Sequence, residues 1–237
     1  MNIPILYEDN HLLAVEKPAN MLVQGDQSGD QDLLTVLKED IKIRYEKPGN
    51  VFLGLVHRLD RPVAGAMVFA KTSKAASRLS DAIRRRDFHK KYLAVVHGKP
   101  KQNQAMLEHY LVKHHRENKV QVVPEGRKGA KKALLEYEVI GHAEPYSLLA
   151  IQLHTGRPHQ IRVQLAAIGT PIFGDQKYGR HVNVPGQQIA LWSHELEFKH
   201  PTKDERVAVT SLPPYEYPWQ LWPEYCKLDH ETESPRQ

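Results

Sequence analysis

From Met106 to Leu153 strand patterns dominate the chain: in "ALLEYEVI" and "YSLLAIQL" apolar residues return at strand rather than helical spacing. A stretch of this length commits much of the molecule to a sheet. Further strand signals surround it. "IPILYEDNHLLAVEKPANMLV" reads as two short strands about the turn pair Asp9-Asn10. "VFLGLV" and "GAMVFAKT" read as buried strands, "KKYLAVVHG" as a strong one, and "ELEFKHP" and "RVAVTSLP" as late ones. Helical spacing is confined to three stretches. Leu33, Leu34, Leu37 and Ile41 recur at three and four, with Pro48-Gly49-Asn50 as the stop. Ala76, Leu79 and Ile83 form the inner face of a second helix that Thr72 or Ser73 can cap. In "TGRPHQIRVQLAAIG", Pro158 suits the first helical turn and Gly169 the C-terminal stop.

The fold class expected is therefore mixed α+β, a mainly antiparallel sheet with a few flanking helices. There is no internal repeat and no low-complexity linker. One domain over residues 1–225 is expected, followed by a polar tail, 226–237. A chain of 237 residues with 41% apolar side chains can fill a sizeable core. No run approaches the ~18 apolar residues of a membrane helix. The N-terminus lacks the basic and apolar regions of an export signal. Cys226 is the only cysteine, which excludes an intrachain disulfide and fits a reducing, cytoplasmic setting. A monomer is expected.

Net charge is +5, and the cations cluster in Arg84–Lys91, Lys113–Lys119 and Gly126–Lys132. Such clusters serve equally as solvated tips or as a phosphate-binding surface. Lys131 and Lys132 are the candidates for contact with a nucleic-acid backbone.

"GLVHRLDRPVAG" carries the main chemical signal. An apolar run ends in His57, Arg58, Asp60 and Arg61, with one carboxylate between two arginines. A carboxylate leaving a core needs a cationic or hydrogen-bonding partner, and once paired it can serve as nucleophile or base. A turn or helix-cap role is the plainer alternative. Tyr92, in "KKYLAVVHG", faces opposite to Lys91 and Leu93 and is either a core aromatic or a phenol beside a reacting group. "HTGRPHQIR" offers Arg157, His159 and Arg162 around a helix start, a plausible anion site. Arg162 lies between Ile161 and Val163; if buried it needs a carboxylate, and Asp60 is the candidate. No second acid stands near Asp60 in sequence, which argues against paired-carboxylate glycoside hydrolysis. Among 14 histidines no metal-ligand spacing occurs; His114-His115 would point apart on a strand. No phosphate-cradling glycine motif occurs, so neither a metal nor a nucleotide cofactor is expected.

These residues also resemble a known family, the RluA-type RNA pseudouridine synthases. "GLVHRLDRPVAGAMVFAKT" resembles the segment that carries that family's catalytic aspartate. "KKYLAVVHG" resembles its tyrosine segment, "LHTGRPHQIRVQLAAIGTPIFGDQKYG" its third stretch, "ELEFKHP" its closing one and "ILYEDNHLLAVEKPANMLV" its opening. The likeness runs in order from about Ile5 to Pro213. It implies a pseudouridine-synthase fold and an isomerase acting on ribosomal or transfer RNA without a cofactor. It also implies Asp60 as nucleophile, Arg162 as its partner and Tyr92 against the target base. Arg58 would stand beside the flipped uridine or fill the gap it leaves, and His57, Arg61, Arg157 and His159 would bind substrate. Many relatives carry an S4 RNA-binding domain in front; only the catalytic domain is expected here. Two departures stand out. Val63-Ala64-Gly65 replaces the usual Thr-Ser-Gly, and Leu191-Trp192-Ser193 replaces Leu-His-Ala.

Overall fold

Asp9 closes the first hairpin, its carboxylate accepting from the backbone N–H groups of His11 (2.7 Å) and Leu12 (2.8 Å). It joins β1 (Ile5–Glu8) to β2 (Leu12–Lys17). The computed structural model describes residues 2–114 and 116–227. His115 and positions 228–237 of the expected tail lie outside the described residues. After β2 come α1 (Leu33–Arg44), β3 (Gly54–Leu55), β4 (Ala64–Ala70) and α2 (Ser73–Arg85). Then follow β5 (Phe88–His97), β6 (Gln104–His114), β7 (Lys119–Val123), β8 (Lys131–Ala143) and β9 (Tyr146–Leu153). Helix α3 (Gln160–Ala167) and strands β10 (Leu191–Lys199) and β11 (Arg206–Thr210) complete the main elements.

The strands form one sheet in the order β1-β2-β4-β10-β5-β9-β8-β6-β7, with β11 added to β10 and β3 to β4. Among the described residues every pairing but one is antiparallel, as a meander of short connections favours. The exception is β4 with β10, joined only at Ala64↔Trp192 and Gly65↔Ser193. Gly65 is obligatory there. Its φ is +111°, and a Cβ would stand 2.3 Å from the Ser193 carbonyl oxygen.

Beyond that short contact, side chains replace a strand along β4. Ser193 Oγ donates to the Ala66 carbonyl (2.9 Å), and His57 Nε2 accepts from the Val68 N–H (3.0 Å). This corrects the expected "VFLGLV" strand. Only Gly54 and Leu55 pair with β4, because the next positions along β4 are already occupied by these two side chains.

Alternation along β4 divides the core. Met67 and Phe69 pack with Leu13, Val15 and the α1 residues Leu33, Leu37 and Ile41. Ala66 and Val68 pack with Ala75 and Leu79 of α2. Each buried leucine of this kind contributes about 1.5–3 kcal/mol. Trp219 and Trp222 cover Leu93 and Val95 on β5, and Cys226 is buried with them. Val163 of α3 meets Leu111, Val120 and Ala133 on β6, β7 and β8.

Local chemistry sets the helix starts. Asp32 caps α1 by accepting from Thr35 N (3.0 Å), and Thr72 caps α2 by accepting from Ala75 N (3.2 Å). The start of α3 differs from expectation: Pro158 lies two residues before the helix, not in its first turn. His159 takes the left-handed conformation (φ 51°) and breaks the helical run. The preceding turn is built by Gln160 instead. Its Oε1 accepts from Arg157 N (3.0 Å) and Thr155 Oγ1 (2.7 Å), while Nε2 donates to the Leu134 carbonyl (3.1 Å).

Candidate active site

The loop after β3 turns tightly, with Val63 N donating to the Asp60 carbonyl (3.0 Å). Leu59 is buried and anchors it, which leaves the Asp60 side chain at the mouth of the core, about a quarter exposed. Arg162 Nη1 donates to Asp60 Oδ2 at 3.0 Å. Oδ1 has no hydrogen-bond partner among the described residues, so one oxygen is held and the other is open.

The sequence neighbours of Asp60 do not form the clamp. Arg61 turns away, pairing with Asp30 (2.7 Å) and donating to the Asn20 carbonyl (3.1 Å). Arg58 is exposed and pairs with no carboxylate among the described residues. His57 is drawn inward as the acceptor for Val68 N, beside the Phe88 ring (5.6 Å). Burial, with the charge of Lys90 nearby, pushes its pKa down to about 3, so it is a neutral structural imidazole.

Arg162 also has a second and tighter partner. Its Nε and Nη2 donate to Asp175 Oδ2 (2.9 Å) and Oδ1 (2.8 Å), a bidentate pair with the carboxylate fully buried. Burial opposes the guanidinium charge, but the Asp175 and Asp60 carboxylates more than offset it and raise its pKa. Asp175 is fixed in turn by accepting from Lys177 N (2.9 Å) and Tyr178 N (3.1 Å). Asp60 is thus not the arginine's main support, as spacing had suggested. Asp175 stands in the quoted "FGDQKYG", but at no helical or strand spacing from Arg162 that would have singled it out.

Tyr178 ties this cluster together. Its ring lies 5.3 Å from the Arg162 guanidinium, and its hydroxyl accepts from Val120 N (2.8 Å). The hydroxyl proton is then free for His159 Nδ1 (2.7 Å). That pattern assigns the imidazole proton to Nε2, which faces Asp60 Oδ2 at 4.0 Å. Burial lowers the His159 pKa, and the Asp60 charge only partly offsets it. Arg157 instead braces the loop, its Nε donating to the Lys132 carbonyl (3.0 Å).

Tyr92 is buried on β5 opposite Ser193 of β10. Burial and then the Asp60 charge raise the phenol pKa, so it is a neutral donor. Beneath the loop, Lys17 is wholly buried, a group absent from the sequence expectations. Its Nζ donates to the carbonyls of Pro18 (2.7 Å) and Arg61 (3.0 Å). Burial lowers its pKa to about 7 against the opposing pull of Asp60. A lysine three residues before Asn20 carries no pattern that marks it as buried.

The cationic segments are less uniform than their composition suggests. Arg84 and Arg85 both pair with Asp81, and Lys91 pairs with Glu195 (2.8 Å). Lys132 pairs with Glu108 (2.7 Å), while Lys131 is exposed. Among the described residues no group of three or more His, Cys, Asp or Glu could hold a metal ion.

What remains chemically is one half-open carboxylate, oriented by a buried arginine and bordered by a phenol and a neutral imidazole. The second carboxylate has both oxygens occupied and no exposure.

The chain is similar to known proteins along most of its length. The family described as RNA pseudouridylate synthase matches residues 11–167. An uncharacterized RNA pseudouridine synthase of Aquifex aeolicus is 37% identical over 219 residues, 86% of this chain and 68% of that protein. The ribosomal large subunit pseudouridine synthase C of Buchnera aphidicola is 32% identical over 212 residues, covering 86% of this chain and 65% of the relative. The chain therefore spans about two thirds of the length of these relatives. The solved human RNA pseudouridylate synthase domain containing 4 shares the fold, with a TM-score of 0.73 at 23% identity over 89% of this chain and 88% of that one.

Proposed function

The chain belongs to the RNA pseudouridylate synthase family, whose members are isomerases acting on RNA, and from that premise we propose that Asp60 is the nucleophile that converts uridine to pseudouridine in a structured RNA. Asp60 attacks C1′ as the N1–C1′ bond breaks, the freed ring turns, and C5 joins C1′ as the Asp60–C1′ bond breaks. C5 then loses a proton and N1 gains one, so atoms balance with no redox change and no energy source. The observation that carries the reading is the half-held carboxylate: Oδ2 on Arg162 at 3.0 Å, Oδ1 without a partner among the described residues. An anchored anion with one open oxygen suits attack on a sugar carbon.

Tyr92 takes its place beside the target base as a neutral phenol and a proton carrier. The target uridine leaves its stack at a cost of a few kcal/mol, which pocket contacts offset. Exposed Arg58 is suited to stand by the extruded nucleotide or to fill the gap it leaves. The names of relatives such as the Buchnera protein favour ribosomal RNA over transfer RNA as substrate. A nucleoside or glycoside hydrolase reading is disfavoured, because Asp175 has no oxygen left for a second acid–base role. Pseudouridine mapping of total RNA from cells with and without this gene tests the proposal. Loss of one or a few discrete sites in ribosomal RNA is expected; identical maps would defeat it.

A further inference from the structure

Lys90 is a nearly buried lysine whose ammonium has no partner among the described residues. On β5 it stands two residues from Tyr92 and faces opposite to exposed Lys91. Only 9% of its surface meets solvent. Its ammonium lies 5.7 Å from the centre of the Phe88 ring, and 3.7 Å from where a Cβ on Gly156 would stand. Among the described residues it makes no hydrogen bond and no ion pair. Burial lowers its pKa, and no nearby carboxylate raises it. Its neighbour makes the contrast plain: exposed Lys91 is given Glu195 at 2.8 Å, and buried Lys90 is given nothing.

A second unpaired donor lies against the same ring. His57 Nε2 is taken by the Val68 N–H, so the imidazole proton is on Nδ1, which is buried and has no acceptor among the described residues. Two donors and no acceptor make this a place for an acceptor, and beside an ammonium that means an anion. The side chain is almost wholly buried while its unpaired ammonium still reaches solvent, so an arriving anion can pair with it where little water competes. A Cβ on exposed Gly156, in the loop that leads to His159 and Arg162, would meet nothing within 4 Å beyond its chain neighbours except this ammonium.

We propose that Lys90 is a phosphate-binding residue, which receives, beside the Thr155–Pro158 loop, the phosphodiester next to the uridine at Asp60. This rests on the function proposed above. Two residues along a strand span about 6.6 Å, so the anion at Lys90 and the base at Tyr92 are held by one rigid strand. Lys90 then fixes the register of the nucleotide as well as its affinity.

The test uses the full chain, its Lys90→Met and Lys90→Arg variants, and two probes, a uridine dodecamer and inorganic phosphate. Lys90→Met should weaken dodecamer binding by about tenfold or more, the loss of one charged hydrogen-bonding contact. The slope of log affinity against log salt should fall by about 0.7, one phosphate of a single strand. Lys90→Arg should keep most of both. In the unmodified chain, lysine side-chain NMR should show the Lys90 pKa rising when the dodecamer binds, a readout that holds even if Lys90→Met fails to fold. An unchanged pKa, or an unchanged slope in a folded Lys90→Met, overturns the inference. Inorganic phosphate binding as tightly as the dodecamer would also overturn it, by making this a free-anion site. Pseudouridine formation by the unmodified chain on ribosomal RNA lacking the modification is measured in parallel. Formation with no Lys90 effect rejects Lys90 alone; a Lys90 effect without formation rejects the enzymatic reading and keeps the anion site.

Discussion

Arg162 is gripped by Asp175 through two hydrogen bonds, at 2.9 and 2.8 Å, and only its remaining nitrogen reaches Asp60. The buried pair is the foundation, and the Asp60 carboxylate is held against it. This division of labour separates the effects of mutating the two acids. Asp175→Asn removes the charge that balances a buried guanidinium and should cost about 3–5 kcal/mol of stability. Asp60, partly exposed and holding one bond, should cost far less when changed to Asn. Thermal or urea unfolding of the two variants checks this; equal losses would contradict it.

Gly65 should be intolerant of any side chain. Its backbone is left-handed, and a Cβ would overlap the Ser193 carbonyl oxygen. Gly65→Ala must break the β4–β10 contact next to the Asp60 loop, at a cost well above the ~1 kcal/mol typical of point mutations. A melting temperature within a degree of the parent chain would show that the strands separate freely there.

His57 should make the fold acid-sensitive. Its folded pKa is about 3, below the ordinary 6.5, so the unfolded chain takes up a proton that the folded chain refuses. Stability from this group is complete above pH 6.5 and is lost as pH falls from 6.5 toward 3, on the order of a few kcal/mol. His57→Gln keeps an acceptor for Val68 N and should flatten that part of the stability–pH curve. An unaltered curve would return the acid response to the carboxylates.

Lys131 and Lys132 should differ as RNA contacts. Lys131 is exposed, whereas Lys132 already holds Glu108 at 2.7 Å in a surface pair worth at most about 1 kcal/mol. Lys131→Ala should reduce the salt slope of RNA binding by up to roughly one phosphate contact, and Lys132→Ala by less. Turnover at saturating RNA should hold, since neither residue touches the Asp60 cluster. An unchanged slope in the double variant would leave both as solubilising charges.

Much of the fold could be read from local pattern. The Asp9 turn, the Thr72 cap and the strand character of β5, β8 and β9 rest on period and turn chemistry, which act over a few residues. What escaped was set by distant parts of the chain. "VFLGLV" has strand composition, but the edge it would join is filled by His57 and Ser193. Pro158 suits a helix start, but Gln160 builds a turn there from the Leu134 carbonyl. In the site, a buried arginine near Asp60 could be argued from its apolar neighbours on α3. Asp175 and Lys17 could not, because each is defined by partners that only the folded chain brings near. Likewise Arg61, adjacent to Asp60 in sequence, faces Asp30 because the loop reverses its direction.

Asp60 is proposed to perform the covalent step, with Arg162 and Asp175 only orienting it. The most direct measurement is pseudouridine formation on ribosomal RNA lacking the modification, by purified parent chain and by Asp60→Asn, with RNA affinity measured alongside. The amide keeps the shape but cannot attack as an anion. Turnover should vanish in Asp60→Asn while RNA affinity and melting temperature stay close to the parent. Appreciable turnover by a folded Asp60→Asn would contradict it.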